Sequence, residues 1–294
     1  MRSLFVLLLL VGLVLLGACE GQSQDQPEYR MPEPTEENLE WYREWLRKNL
    51  VYVKGGTFMM GDVGMPDSLG GGAWTSDMDT EPPHKVTLSS YSMQKYEVTY
   101  WEYDLFTNAT ERDTVLTYLL GEQERSARYP TSVPRWESAR AYCRWAGKQI
   151  GVEMDLPTEA QWEYAARSRG KNVAVATNDG MPRPGENMIE SMDVQPIVTY
   201  PPNPLGLHNL SDNVREWTRD WYEPNYYEVS PRKNPTGPDT GEKKVLRGGA
   251  STVDTPQWTR LHTRLPAKST SREYHGTYGI RCVARHPEPI DPKE

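Results

Sequence analysis

The 294 residues hold only three cysteines, five histidines and three phenylalanines. At most one internal crosslink is therefore available, and any thiol chemistry must come from Cys19, Cys143 or Cys282. The histidines (His84, His208, His262, His275 and His286) are dispersed. None stands four residues from another, the spacing that sets two ring nitrogens on one helical face for a metal. Positive charge is also in short supply. Lys and Arg number 33 against 41 Asp and Glu, a net charge of −8. Without a basic face nothing favours nucleic acid. The longest apolar run, residues 3–16, is too short for a membrane span. Tryptophan and tyrosine, in contrast, are abundant at 10 and 17, alongside 23 Gly and 24 Pro. Their rings carry a polar atom that needs a partner when buried, so a loop-rich domain tied by side-chain hydrogen bonds is expected.

Arg2 followed by the apolar run and then Leu16-Gly17-Ala18-Cys19 resembles a bacterial lipoprotein signal. Small residues admit the signal peptidase, and the Cys19 thiol takes the lipid. The alternative is an ordinary secretory signal with an incidental cysteine. Acylation would anchor the chain without a transmembrane helix. Glu20, where an Asp would retain a lipoprotein at the inner membrane, points to the outer membrane, with the domain facing the periplasm. Residues 1–18 then read as signal peptide and 19–34 as a polar, Pro-rich tether. Residues 35–50 read as an amphipathic helix, 51–285 as the globular domain and 286–294 as a solvated tail. Cys143 and Cys282 remain as an even pair in an oxidising compartment, read as a disulfide or, alternatively, as two buried thiols.

Along the domain, Thr35 caps a helix whose Leu39, Tyr42, Trp45 and Leu46 form one stripe, expected to pack on its own domain. Residues 51–53 and 85–88 alternate as strands, and residues 62–80 read as a loop. A helix is expected around 101–106 and another over 134–146. A third starts at Thr158, where Gln161 three residues on completes a capping box. Beyond Arg169 few regular elements are legible.

Several blocks occur in order. They are Gly55-Gly56-Thr57-Phe58-Met59-Met60-Gly61, Pro83-His84-Lys85-Val86-Thr87-Leu88 and Tyr96-Glu97-Val98-Thr99. Then follow Ala141-Tyr142-Cys143-Arg144-Trp145-Ala146-Gly147-Lys148, Leu156-Pro157-Thr158-Glu159-Ala160-Gln161-Trp162-Glu163-Tyr164 and Asp212-Asn213-Val214-Arg215-Glu216-Trp217. Arg247-Gly248-Gly249 and Gly279-Ile280-Arg281-Cys282 close the series. Together they resemble the formylglycine-generating-enzyme (sulfatase-modifying-factor) family over roughly residues 51–285. The resemblance implies an α+β, C-type-lectin-like fold in its formylglycine-generating-enzyme variant, loop-rich and low in regular secondary structure. It also implies a disulfide between Cys143 and Cys282, because members with a crosslink carry it at those two places.

Active members hold copper with two thiolates just beyond the Arg-Gly-Gly turn, sulfur being a soft ligand suited to Cu(I). The matching positions here are Val253 and Trp258, so no catalytic residues, no oxidase activity and no copper are expected. A related branch uses iron held by histidines and a carboxylate. His262 and His275 are the candidates here, and no iron site is expected. Members also bind Ca²⁺ through oxygen ligands. Carried over, these are the side chains of Asn209 and Glu216 and the backbone carbonyls of Asp212 and Val214. Asp212 and Arg215 depart from the family pattern, and a second family site near Asn187 is not expected.

A kept frame without its chemistry implies a non-catalytic envelope lipoprotein that binds another exported protein. Silent relatives point to two versions, a regulator of a periplasmic sensor domain in type VI secretion and a toxin-immunity protein. The alternative is a divergent periplasmic metal-dependent oxidoreductase of the sulfoxide-synthase or siderophore-maturation kind. The loops 62–80, 107–130 and 223–243, the last with Tyr226 and Tyr227 and with Tyr222 just before it, are candidate recognition surfaces.

Overall fold

Threonines start three of the helices. The computed structural model describes residues 29–115, 126–191, 193–249, 261–268 and 278–292. Cys19, Val253, Trp258 and His275 lie outside them. Helix α1 (Glu36–Lys48) has Thr35 as N-cap, its hydroxyl accepting from the Asn38 amide. Glu36 and Glu37 in the first turn and Arg47 and Lys48 in the last match the helix dipole. Tyr42 and Leu46 are buried, and the Tyr42 hydroxyl lies 2.9 Å from that of Tyr142. The stripe thus packs on its own domain, and α1 belongs to the same compact unit as the rest of residues 31–294. Helices α2 (Tyr100–Ala109) and α4 (Glu159–Ala166) each open with a complete capping box, Thr99 with Glu102 and Thr158 with Gln161. Helix α3 (Trp136–Ile150) extends one turn past its expected end and stops at Gly151 in the left-handed region, φ 72°. A single turn, α5 (Tyr226–Val229), follows later.

The strands are β1 (Leu50–Val53), β2 (Gly56–Met60), β3 (His84–Leu88), β4 (Tyr91–Gln94) and β5 (Met154–Asp155). They continue with β6 (Arg215–Trp221), β7 (Lys244–Arg247), β8 (Leu265–Ala267), β9 (Tyr278–Gly279) and β10 (Val283–Ala284). One four-stranded sheet has the order β1-β4-β10-β5, another the order β8-β7-β6-β9, and β2 pairs with β3 alone. The second sheet corrects the expectation of little order beyond Arg169. Its central strand reads Arg-Glu-Trp-Thr-Arg-Asp-Trp, and Glu216, Trp217, Thr218 and Asp220 are all buried. Polar residues inside a strand erase the alternation that would announce it.

Two further expectations change. The C-terminal segment is not simply a solvated tail: Ile290 packs on the core, and the Tyr52 hydroxyl donates to the Pro287 carbonyl at 3.0 Å. In the 223–243 loop, Tyr226 and Tyr227 point inward and are buried, so they are not available to a partner.

Cys143 on α3 and Cys282 just before β10 form a disulfide, S–S 2.01 Å, between residues 139 apart in sequence. Both sulfurs lie in a core that also holds Tyr142, Trp145, Trp217 and Ile280. A loop of this length restricts the unfolded chain strongly. The double substitution Cys143→Ala/Cys282→Ala should lower the unfolding free energy by about 3–5 kcal/mol, measured by urea unfolding of the soluble domain.

Candidate functional site

The centre of the domain is built around Arg281, which is wholly buried. Its Nε donates to the Glu216 carboxylate at 2.9 and 3.1 Å, and its Nη2 pairs with Glu216 Oε1 at 2.7 Å. Nη1 donates to the carbonyls of Gln94 and Lys95, and Nη2 also to that of His208. The other Glu216 oxygen accepts from the Trp162 indole at 2.7 Å. A buried charge is tolerable only when paired and hydrogen-bonded, and this one is.

The predicted calcium block leads into this centre. Asn209 (φ 58°) and Asn213 (φ 69°) turn the chain in the left-handed region, which Asn enters more readily than most residues. Both donate side-chain amides to Glu97 Oε2, at 2.9 and 3.3 Å. The Asp212 carboxylate accepts from the Ile189 amide at 2.8 Å. Val214 is buried beside them. Glu216, the expected anionic ligand, is committed to Arg281 and Trp162. The acidic group with free coordinating capacity is Glu97, whose Oε1 is buried without a hydrogen-bond partner. Burial raises the Glu97 pKa well above the carboxylate range, with Arg281 opposing and Glu216 adding to the rise. Nothing in the sequence around Tyr96-Glu97-Val98-Thr99 marks a role for Glu97; the fold brings Asn209 and Asn213 to it. No cluster of three or more His, Cys, Asp or Glu side chains is placed to hold a metal among the described residues.

A second ionic network supports the Arg-Gly-Gly turn. Glu159 and Glu163 on α4 and Arg167 at its C-cap follow one another at four-residue spacing, and all three are buried. Glu163 accepts from Arg167 at 2.8 Å, from Arg247 at 2.9 Å and from the Gly61 amide at 3.0 Å. Burial alone would raise its pKa, but Arg247 and Arg167 outweigh it and hold Glu163 below the ordinary value. Glu159 accepts from Arg264 at 2.7 Å, Tyr227 at 3.1 Å and Arg247 at 3.2 Å. Arg264 also donates to the Asp79 carbonyl, and the Tyr222 hydroxyl to the Asp79 carboxylate. The network also reaches Leu261, whose carbonyl accepts from Arg247 at 3.0 Å. Glu159 and Glu163 are paired to guanidinium groups and brace the turn, whereas Asp79 accepts from the Tyr222 hydroxyl and keeps its other carboxylate oxygen buried without a hydrogen-bond partner.

Residues 42–286 match the sulfatase-modifying factor enzyme 1-like domain. The chain belongs to the formylglycine-generating-enzyme family. The formylglycine-generating enzyme of Streptomyces coelicolor is 36% identical over 170 residues, 53% of this chain and 52% of that protein. A serine/threonine-protein kinase pkn1 of Chlamydia pneumoniae is 31% identical over 255 residues, 80% of this chain but 37% of the relative. The chain therefore spans between about a third and a half of the length of these relatives. Among solved structures, PvdO from Pseudomonas aeruginosa aligns with a TM-score of 0.64 at 22% identity, covering 80% of this chain and 93% of that one. Treponema denticola variable protein 1 aligns at 0.62 and 19% identity, covering 81% and 95%. These two likenesses establish the fold, an α+β, C-type-lectin-like frame of the formylglycine-generating-enzyme kind.

Within this family frame the described histidines do not converge. His208 Nδ1 lies 2.9 Å from the Tyr200 carbonyl. His262 Nε2 lies 3.0 Å from the Val173 carbonyl, with its ring stacked on Trp74 at 5.0 Å. A carbonyl can only accept, so Nε2 of His262 carries the proton. Nδ1 is buried with no partner. Burial therefore lowers the His262 pKa to about 4, and that of His208 likewise to about 4. Both rings are neutral in the fold, whereas the unfolded chain takes up protons near pH 6.5. These histidines thus contribute stability that is lost as pH falls from about 6.5 towards 4. His262→Gln, which keeps a donor for the Val173 carbonyl, should make the loss of unfolding free energy between pH 6.5 and 4.5 shallower. Urea unfolding at both pH values measures it, and an unchanged slope would contradict the assignment.

Proposed function

We propose that this chain is a non-catalytic envelope lipoprotein, held to the membrane by lipid on Cys19, whose family frame recognises another exported protein. The observation that carries this reading is the disulfide between Cys143 and Cys282. Copper chemistry in this family requires two thiolates. Apart from the cysteine reserved for lipid, the chain's only sulfhydryl residues are joined to each other in the core. The positions that resemblance assigns to the copper ligands are Val253 and Trp258. Glu159, Glu163 and Glu216, the carboxylates of the two ionic networks that face guanidinium groups, are likewise already occupied.

Calcium fits this reading as a structural ion. Asn209 and the carbonyls of Asp212 and Val214 would hold it, with Glu97 taking the charged place first assigned to Glu216. A hard cation would then supply the partner that the buried Glu97 oxygen lacks. As recognition functions, regulation of a periplasmic sensor domain in type VI secretion and neutralisation of a toxin both suit a rigid frame with variable loops.

The test is made on the soluble domain from residue 20 onward. It is incubated with Cu(I) and a cysteine-containing sulfatase peptide under oxygen, and its metal content is measured after purification. The expected result is no peptidyl aldehyde, no stoichiometric copper or iron, and calcium bound. Aldehyde formation, or one redox metal per molecule, would overturn the proposal in favour of a metal-dependent oxidoreductase.

A further inference from the structure

Helix α3 carries the exposed side chains of Glu137, Arg144 and Lys148 along one face. Together with the end of α2 it walls a cleft of about 430 Å³. Phe106, Ala141 and Trp145 form an apolar floor, and Arg112, Arg144 and Lys148 stand around it. Arg144 is 57% exposed, and its nearest carboxylate, Asp155, is 3.9 Å away and already held by Arg140 through two nitrogens. Lys148 and Arg112 are exposed. The Arg112 guanidinium lies over the Phe106 ring at 5.6 Å, which leaves its outward edge to solvent. Counting Arg140, the lining holds four cations against one carboxylate, Glu137. The whole chain is acidic, at −8. This concentration of positive charge therefore runs against the protein's own balance, and an anion near the surface is drawn to this place.

The spacing points to one kind of occupant. Arg144 and Lys148 are four residues apart on α3, about 6 Å along the helix axis. In an extended peptide, side chains two residues apart point the same way and lie roughly 6.6–6.8 Å apart. Two carboxylates at alternate positions of a strand-like segment therefore meet Arg144 and Lys148 in step. Arg112 closes on the segment from the α2 side, and the aromatic floor takes its apolar atoms. We propose that this cleft docks an extended acidic segment of a partner protein, with acidic residues at alternate positions. The proposal deepens the recognition reading given above and rests on it.

A fluorescein-labelled ten-residue peptide alternating glutamate with leucine serves as the probe, followed by fluorescence anisotropy with the soluble domain. Saturable binding at one site is expected, weakening as salt rises. It should fall at least tenfold in Arg144→Ala/Lys148→Ala and in Arg112→Ala, and stay unchanged in Lys85→Ala, on β3. All these side chains are exposed, so unaltered thermal unfolding of the variants separates lost binding from lost fold. The same peptide with lysine for glutamate should not bind. Absence of binding, or equal binding by the double variant, would overturn the proposal. So would attachment to vesicles containing phosphatidylglycerol that depends on the same three cations in the absence of peptide binding, which would assign the cleft to lipid headgroups. The aldehyde assay distinguishes the two levels. Failure of the peptide with no aldehyde formed leaves the recognition reading standing, whereas aldehyde formation removes it whatever the peptide does.

Discussion

The guanidinium of Arg281 has five N–H bonds, and all of them are used inside the domain. They join four separated stretches of chain: the end of β4 at Gln94 and Lys95, the loop at His208, strand β6 at Glu216, and the segment that carries Cys282 into β10. Because Glu216 also accepts from Trp162 of α4, one ion pair sets the distance between the two four-stranded sheets and the helix beside them. In a domain with short strands and long loops, such a point does what a continuous apolar core does elsewhere. The disulfide one residue further on keeps the same segment against α3.

A second consequence is chemical. Arg167, Arg247, Arg264 and Arg281 are buried, and each faces Glu159, Glu163 or Glu216. Bringing these charges out of water costs several kcal/mol per ion, and only their mutual pairing offsets it. Carboxylates so occupied cannot also serve as proton acceptors. The Arg-Gly-Gly turn is thus held by ion pairs that involve no thiolate.

The sequence showed the helices well because their signals are local. Thr35, Thr99 and Thr158 cap helices through bonds spanning three residues, and Tyr42 with Leu46, or Tyr142 with Trp145, lie one turn apart. The resemblance also placed Cys143 opposite Cys282. Strand β6 was not legible, because Glu216, Thr218 and Asp220 are polar yet buried, and their partners come from α4, β7 and the C-terminal segment. The calcium block shows the same limit. Asn209 and Glu216 are close in sequence, but which carboxylate stays free is decided by Arg281, far along the chain, and by Glu97, which only the fold brings to Asn209. Tyr226 and Tyr227 were expected to suit an interface; both are buried, Tyr227 against Glu159 and Arg264.

The dependence of the fold on the Arg281–Glu216 pair is open to a double-mutant cycle. Unfolding free energies of the soluble domain would be compared for the wild type, Arg281→Met, Glu216→Gln and the double variant. The account predicts that Arg281→Met alone lowers stability by about 3–5 kcal/mol, because an unpaired carboxylate is left buried, and that the double variant recovers part of that loss. Strictly additive effects, or a loss below about 1 kcal/mol for Arg281→Met, would contradict it.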